Sequence, residues 1–315
     1  MQIRHTGPSK LVKLGAGMRF ITFSKGRKTK IGVLVDDDKV VIDLSVAAPK
    51  LPTDMNRFIA GGASALEKAR QAVSKAKPAA RILAKKVKIM APIPTPHRNV
   101  MAVGKNYYDH AEEFDNSGFN QAKTGGAIPE FPIIFTMPPT AVIGPDAPIP
   151  GYLDYTKSVD YEVELGVVIG KQGRKITKKD SLDYVFGYTI INDVTARKQQ
   201  FKHNQWFIGK GLDGFCPMGP CIVTADEIGD VRKLGIRTEV NGELRQNSYV
   251  KNMIFDVQTL IKTLSAGMTL LPGDVIATGT PLGIGGGFNP PKFLKKGDVV
   301  TMSIDQIGVL ENPVE

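Results

Sequence analysis

Short runs of apolar residues, several of them alternating with polar ones, dominate the chain and predict many β-strands. In residues 18–45 the runs are MRFITFS, IGVLV and KVVIDL, and three aspartates at 36–38 form a polar break between the last two. Runs of this length separated by turn residues predict a small antiparallel meander. Residues 1–17 precede the meander, and we expect them to be a loose extension.

The pattern changes from strand to helix after the meander. A helical pattern extends from Ala63 to Ala84, and the proline-rich segment APIPTPHRN at 91–99 is typical of a linker. We therefore predict a small α+β domain over residues 1–92 and a larger domain over residues 93–315.

In the larger domain the pattern predicts strands joined by long loops, with few helices. The Asn241-Gly242 dipeptide between two alternating segments is a strong hairpin signal. Helices are predicted at Tyr108–Phe114, Ala196–Lys202 and Phe255–Leu264. The fold class is therefore α+β and rich in β-structure. The clearest predicted strands lie within FPIIFTM, YEVELGVVIG, VFGYTIINDVT, IRTEVNGELRQ, GDVIATGT and GDVVTMSI.

The net charge of +10 is concentrated at one end of the chain. Residues 1–100 carry 20 Lys and Arg against 6 Asp and Glu, whereas the remainder is slightly acidic. A basic region can attract nucleic acid. However, its lysines lie in an alanine-rich stretch without aromatic residues for base stacking, which favours a solvated helix face. A nucleic-acid-binding module is therefore only the non-enzyme alternative.

Several functional classes are excluded by missing signals. No run of 18 apolar residues is present, so no membrane span is predicted. The chain has no GxSxG, HExxH or Walker motif. Its two cysteines, Cys216 and Cys221, do not form a CxxC pair and are predicted to be free thiols in the cytoplasm.

Carboxylates occur where an apolar strand makes them costly. In the segment DYEVELGVVIG, Glu162 and Glu164 lie on one side of a predicted strand, roughly 6–7 Å apart. Asp193 ends a second apolar strand. Three oxygen ligands without His or Cys suit a hard cation such as Mg²⁺ or Mn²⁺. The alternative is an exposed edge strand with solvated glutamates.

Two further groups are candidates for proton transfer and charge stabilisation. His110 and Glu113 are three residues apart in a predicted helix, so the carboxylate can orient the imidazole as a general base. Lys210 interrupts an apolar, glycine-rich stretch and could hold an oxyanion. The alternatives are a surface His–Glu pair and a solvated loop lysine.

Six motifs cover nearly all of residues 98–310: GKNYYDHAEE, DYEVELGVVIG, GYTIINDVTAR, GKGLDGFCPMGP, VNGELRQ and GDVIATGTPLGIG. In these motifs and in their order the chain resembles the fumarylacetoacetate hydrolase superfamily, and in particular its bacterial acylpyruvase and 2-hydroxyhepta-2,4-diene-1,7-dioate isomerase-like members. The resemblance implies a mixed β-sandwich roll and a homodimer. It also implies a Mg²⁺- or Mn²⁺-dependent enzyme that acts on small anionic 2-oxo or 2,4-dioxo carboxylates.

The resemblance also implies the roles of nine residues. The founding hydrolase has an additional early aspartate ligand, for which Asn106 and Asp109 are the nearest candidates here. Lys198 and Gln199 stand where many relatives have Asp. The implied metal ligands are Glu162, Glu164 and Asp193, the catalytic residues are His110, Glu113 and Lys210, and the substrate-binding residues are Gln200, Thr280 and Tyr107.

The implied reaction is hydrolysis of a C–C bond in a 2,4-dioxo acid. The His–Glu dyad, carried by a mobile lid, activates water, and an enolate held at the metal leaves. The same electron sink supports decarboxylation of a β-keto acid or isomerisation of 2-hydroxyhepta-2,4-diene-1,7-dioate. The enzyme alternative is therefore a decarboxylase or isomerase.

Overall fold

The computed structural model describes residues 18–26, 28–116, 128–203 and 205–315. Within these ranges it contains eight α-helices and eighteen strands. The helices are α1 (Leu44–Ala47), α2 (Met55–Ala60), α3 (Gly62–Ser74), α4 (Tyr108–Asn116), α5 (Arg197–Lys202), α6 (Phe207–Lys210), α7 (Ala225–Ile228) and α8 (Val257–Ser265). The strands are β1 (Arg19–Lys25), β2 (Lys28–Val35), β3 (Val40–Asp43), β4 (Arg81–Leu83), β5 (Lys88–Met90), β6 (Val100–Gly104), β7 (Ile133–Met137), β8 (Val142–Ile143), β9 (Val159–Asp160), β10 (Val163–Ile169), β11 (Val185–Asn192), β12 (Thr195–Ala196), β13 (Cys216–Thr224), β14 (Gly235–Val240), β15 (Glu243–Tyr249), β16 (Val275–Ala277), β17 (Val299–Ile304) and β18 (Gly308–Pro313).

Three sheets organise these strands. The largest has twelve strands, in the order β4-β3-β2-β1-β13-β11-β10-β16-β6-β7, with β5 paired to β1 and β8 paired to β13. Its pairs are antiparallel except β16–β6 and β13–β8. A four-stranded antiparallel sheet has the order β15-β14-β17-β18, and β9 pairs with β12. The predicted α+β class, rich in β-structure, is confirmed.

Both faces of the large sheet are covered, which explains the continuous apolar run of β10. One core cluster joins Leu165 and Val167 to Ile236 and Val300 of the four-stranded sheet. A second cluster, on helices α1–α3 and the other face, contains Val168. Successive residues of β10 therefore enter opposite cores, as expected for a strand buried on both faces. The sheet-on-sheet packing confirms the predicted sandwich.

The N-terminal meander is present, and it is part of the large sheet. β1, β2 and β3 pair in succession, as predicted, and β1 also pairs with β13. Ala91 and Ile93 of the proline-rich segment are buried in the second core cluster. The sheet is thus continuous across residue 92, and a domain boundary there stays a prediction.

The predicted helix from Ala63 to Ala84 is wrong in its second half. Helix α3 ends at Ser74, and Arg81–Leu83 instead forms β4, which pairs with β3. Pro78 explains the difference, because proline lacks an amide donor and disfavours helical geometry in the preceding residue. Lys77 is accordingly extended, with φ −73° and ψ 159°.

The three other predicted helices agree with the structure to within two residues at each end, and the predicted hairpin turn is present. The predicted helices correspond to α4, α5 and α8. Asn241 and Gly242 join β14 to β15 with φ angles of 53° and 77°, the left-handed geometry of a two-residue hairpin turn. Cys216 and Cys221 are free and buried. None of the described helices is long and apolar enough to cross a membrane, and a cytoplasmic location stays a prediction.

Candidate active site

The three predicted carboxylates meet where β10 begins and β11 ends. Glu162 immediately precedes β10, Glu164 lies within it, and Asp193 follows β11. The antiparallel pairing continues past the strand ends, since the Asp193 amide donates to the Glu162 carbonyl at 2.9 Å. One ligand atom from each carboxylate lies within 4.8 Å of the others. Because β10 is an inner strand and both glutamates are buried, the edge-strand alternative is wrong.

Two buried cations contact this carboxylate triad. Lys210 Nζ donates to Glu162 Oε2 at 3.0 Å, to Asp193 Oδ2 at 2.8 Å and to Thr195 Oγ1 at 2.8 Å. Arg197 Nη1 lies 2.6 Å from Glu162 Oε1. The side chain of Lys210 is 3% exposed, so the solvated-loop alternative for this lysine is wrong.

The three carboxyl groups of the triad have different pKa values because their neighbouring charges differ. Burial raises the pKa of Glu162, but the Lys210 and Arg197 cations outweigh it and lower this pKa to about 2. Burial, together with the neighbouring carboxylates, raises the pKa of Glu164 well above its ordinary value. Burial and Glu162 raise the pKa of Asp193 to about 7, against the effect of Lys210. The site therefore retains protons that a cation would displace.

The donor set fits a divalent cation. Asp193 Oδ1 is buried and has no hydrogen-bond partner among the described residues, so one ligand oxygen of the triad is unsatisfied. The buried Tyr107 hydroxyl is also unsatisfied, and burial and the nearby Glu164 raise the pKa of this phenol. Unsatisfied carboxylate oxygens in a buried cluster of hard ligands suit Mg²⁺ or Mn²⁺. Metal binding itself stays a prediction.

The predicted dyad is formed and buried. His110 Nδ1 lies 3.3 Å from Glu113 Oε2, and their side chains are 5% and 9% exposed. The Gly283 amide donates to both oxygens of Glu113, at 3.1 and 3.2 Å. A surface His–Glu pair is therefore the wrong interpretation, and α4 is connected to the glycine-rich segment through Glu113.

One cavity unites most of the predicted site residues. Thr280 is oriented by Gln246, whose Nε2 donates to the threonine hydroxyl at 2.8 Å. Four of the nine predicted site residues, Tyr107, Glu113, Glu164 and Asp193, are not among the residues that line the cavity. The lining residues are Val103, Gly104, Lys105, His110, Phe135, Glu162, Arg197, Gln200, Trp206, Lys210 and Thr280.

Neither candidate for an additional ligand joins the triad. Asn106 Nδ2 donates to the carbonyl oxygens of Thr278 and Phe255 at 2.7 and 3.0 Å, and its Oδ1 accepts from the Phe255 amide at 2.8 Å. Asp109 is exposed. Asn106 therefore serves the backbone, and the cluster of described acidic side chains has three members.

Sequence reasoning missed Asp160 and Arg197, although both stand in motifs that it used. Arg197 is almost fully buried between Asp160, at 2.7 Å from Nε, and Glu162. The one sequence signal for Asp160 and Arg197 is that each is a charged residue within a largely apolar segment. Gln199 donates to Asp154 Oδ1 at 2.9 Å.

Comparisons with known proteins place this site in a family. Residues 99–315 match the family model described as fumarylacetoacetate (FAA) hydrolase C-terminal. Oxaloacetate tautomerase YisK of Bacillus subtilis (strain 168) is 44% identical over 309 residues, which cover 94% of this chain and 100% of the relative.

Solved structures agree with this result. The fumarylacetoacetate hydrolase of the psychrophile Exiguobacterium antarcticum has a TM-score of 0.80 and 40% identity, covering 95% of this chain and 99% of its own. Maleylpyruvate hydrolase from Sphingobium sp. SYK-6, in complex with manganese(II) and pyruvate, has a TM-score of 0.74 and 31% identity. The alignment with maleylpyruvate hydrolase covers 94% of this chain and 98% of that structure's chain.

The chain belongs to the fumarylacetoacetate hydrolase superfamily, as the motifs predicted. It is an enzyme of that superfamily, in which relatives named for different activities share one scaffold.

Proposed function

We propose that this enzyme catalyses keto–enol tautomerisation of oxaloacetate or a closely similar 2-oxo acid, with Mg²⁺ or Mn²⁺ at the triad. The observation that carries the proposal is one cavity lined by His110, Glu162 and Lys210, with Glu113 holding the histidine. This arrangement offers one base and one cation beside a metal site. The 44% identity to an oxaloacetate tautomerase over nearly the whole chain supports the choice of reaction.

Glu162, Glu164 and Asp193 are the residues that would hold the cation. A divalent cation, when bound, supplies Lewis acidity to the oxygens of a 2-oxo carboxylate. The chain's own part is to keep three carboxylates together out of water, which Lys210 and Arg197 do by neutralising Glu162.

Tautomerisation moves one proton between C3 of the substrate and the oxygen on C2. His110 is the base, and because Nδ1 faces Glu113, the proton passes through Nε2. Burial lowers the pKa of Lys210, but Asp193 and Glu162 raise it above the ordinary lysine value. Lys210 therefore stays charged and stabilises the oxygen that becomes negative.

The test starts from the enol form of oxaloacetate and follows the loss of its ultraviolet absorbance with Mg²⁺ or Mn²⁺. His110→Ala is expected to lower the catalysed rate by about 10²–10⁴-fold without changing metal affinity. His97→Ala is the matched control, because His97 is exposed and lies outside the cavity. No acceleration by the wild-type enzyme, or an equal loss in the control, would contradict the proposal.

C–C bond hydrolysis is the second candidate. The specific observation in its favour is that Gln200 lines the same cavity as His110, so a water molecule can be held beside the base. Release of pyruvate from acylpyruvates distinguishes hydrolysis from tautomerisation, which changes no carbon skeleton. Oxaloacetate decarboxylation and isomerisation of 2-hydroxyhepta-2,4-diene-1,7-dioate belong in the same panel, because they use the same electron sink.

We also propose that the enzyme is a homodimer. Edge strand β7 and helix α6, which pack together, expose the apolar side chains of Ile133, Ile134, Phe207 and Ile208. Exposed apolar surface of this kind favours association. Light scattering after size exclusion should give twice the chain mass of 34.1 kDa, and Ile134→Glu should reduce it towards the monomer; a monomeric wild type would refute the proposal.

A further inference from the structure

We propose that Asp160 is a positioning residue that couples a metal ligand to the catalytic dyad through the glycine segment 283–287. Asp160 touches neither the cation site nor the cavity directly. The inference rests on the proposed roles of the triad and the dyad, and it adds to them the device that holds both in one geometry.

Asp160 is a completely buried carboxylate that accepts four hydrogen bonds. Its Oδ1 accepts from the amides of Tyr161 and Gly285, at 2.9 and 2.6 Å. Its Oδ2 accepts from the Gly286 amide at 2.9 Å and from Arg197 Nε at 2.7 Å. Each oxygen therefore has two donors, which offset the cost of burying the charge.

The Oδ2 side leads to the metal site. Arg197 spans the two carboxylates, with Nε on Asp160 and Nη1 on Glu162 Oε1, and its side chain is 1% exposed. A planar guanidinium held at Nε has little freedom to rotate. Asp160 thus fixes the orientation of the arginine that holds Glu162.

The two glycine amides lead to the dyad. The segment from Gly283 to Gly287 lies between Asp160 and Glu113, because Gly283 donates to Glu113 while Gly285 and Gly286 donate to Asp160. The glycines are required by this close approach. An added Cβ at Gly285 would lie 2.6 Å from Asp160 Oδ1, and one at Gly287 would lie 2.1 Å from Glu113 Oε1.

A continuous series of polar contacts results, with one carboxylate at its centre. It joins Glu162 to Arg197, Asp160, the glycine segment, Glu113 and finally His110. Outer partners that orient catalytic groups are a recurrent feature of metal sites. If Asp160 relaxes, both the metal ligand and the base lose their support.

Asp160→Asn tests the coupling with little change in shape. The asparagine side chain has one accepting oxygen and one NH₂ group, which is a donor. The NH₂ group must therefore face a pair of donors, either the amides of Tyr161 and Gly285 or the Gly286 amide and Arg197, and those hydrogen bonds are lost. We expect roughly 10–100-fold weaker Mn²⁺ binding and a similar fall in kcat for enolisation, with KM changed less than about threefold.

Asp154→Asn is the matched control. Asp154 is also a buried carboxylate with five donors, from Thr156, Ser158 and Gln199, and among the described residues no hydrogen bond joins its side chain to Arg197 or to the glycine segment. Asp154→Asn should lower the melting temperature as much as Asp160→Asn does, while the metal dissociation constant and kcat of the Asp154→Asn variant stay near the wild-type values.

Gly287→Ala perturbs the coupling from the dyad end. Its Cβ would displace Glu113, so kcat should fall while Mn²⁺ affinity weakens less than it does in Asp160→Asn. In the double variant with Asp160→Asn, the losses in kcat should be smaller than the product of the single losses, because both act through Glu113. Multiplicative losses would overturn the coupling.

Amide hydrogen exchange of the metal-free protein supplies a readout that does not depend on any substrate. Asp160→Asn should accelerate exchange across residues 283–287, including Gly283, which bonds Glu113 rather than Asp160. Asp154→Asn should not. An unchanged Gly283 amide in Asp160→Asn would refute the inference, whereas failure of oxaloacetate as a substrate would refute only the proposed reaction.

Discussion

Glu164→Gln is expected to weaken metal binding at the triad while leaving the free energy of unfolding of the metal-free protein nearly unchanged. The pKa of Glu164 is raised well above 4.5 by burial and by Asp193 and Glu162. Burial and the neighbouring carboxylates therefore favour the protonated form of Glu164 in the metal-free protein, and glutamine matches that form in shape and charge. The glutamine oxygen can still accept from the Gly279 amide, which donates to Glu164 at 2.8 Å. We expect metal-free stability to change by less than about 1 kcal/mol.

The stabilisation of the folded protein by bound metal follows from the linkage of binding to folding. A cation at 100 times its dissociation constant stabilises the wild-type protein by about 2.7 kcal/mol. Loss of one anionic ligand should weaken binding at least about tenfold, which leaves at most about 1.4 kcal/mol at the same concentration. In a chain of this size these energies correspond to shifts in melting temperature of about 4 °C and about 2 °C or less.

Differential scanning calorimetry with Mn²⁺ and with chelator measures these shifts directly. Glu239→Gln makes the same chemical change at an exposed position of β14 and should keep the wild-type response. An equal Mn²⁺-dependent shift in Glu164→Gln, or no shift in the wild-type protein with either Mg²⁺ or Mn²⁺, would refute the assignment of the triad.

Three further changes test other parts of the site and fold. The pKa of Asp193 is raised from 3.8 to about 7, so between these values the folded metal-free protein binds more protons than the unfolded chain. The contribution of Asp193 to the stability of the metal-free protein therefore falls as the pH rises from about 4 to 7. Mn²⁺ affinity should rise over the same range, with proton release detectable by calorimetry in two buffers; pH-independent binding would contradict this. Gly104→Ala places a Cβ 1.7 Å from Trp206 Cζ3, so it should destabilise the protein by about 1–3 kcal/mol and shift the fluorescence of the single tryptophan, unlike Gly267→Ala at an exposed position with open space around the new Cβ. Deleting residues 1–92 removes β1 from β13 and uncovers the second core cluster, so the remainder should aggregate; a folded fragment that binds Mn²⁺ would show otherwise.

Local sequence patterns predicted most of the secondary structure because they act over a few residues. The Asn241-Gly242 turn, the meander and three helices all follow from turn chemistry and periodicity. The error at Ala63–Ala84 came from extending a helical pattern across Pro78, where β4 gains sheet partners that the local composition does not show. Long-range pairing, such as that of β1 with β13, has no local signal.

The triad could be predicted because its chemistry conflicts with its surroundings. Two glutamates at the start of an apolar strand and an aspartate at the end of another are costly unless something binds them. Their convergence depends only on antiparallel pairing of neighbouring strands, which the structure contains as β10 and β11. The family resemblance implies that Tyr107 binds substrate, but its buried hydroxyl lies near Glu164 and Tyr107 does not line the cavity.

The support of the site could not be predicted, since its partners are far apart in sequence and several are backbone amides. Asp160 contacts Gly285 across 125 residues, and Glu113 contacts Gly283 across 170. A glycine segment without the usual phosphate-loop spacing has no evident partner when the chain is read alone. In the fold its bare amides satisfy two buried carboxylates at once, so the absence of side chains is what allows Asp160 and Glu113 to share one support.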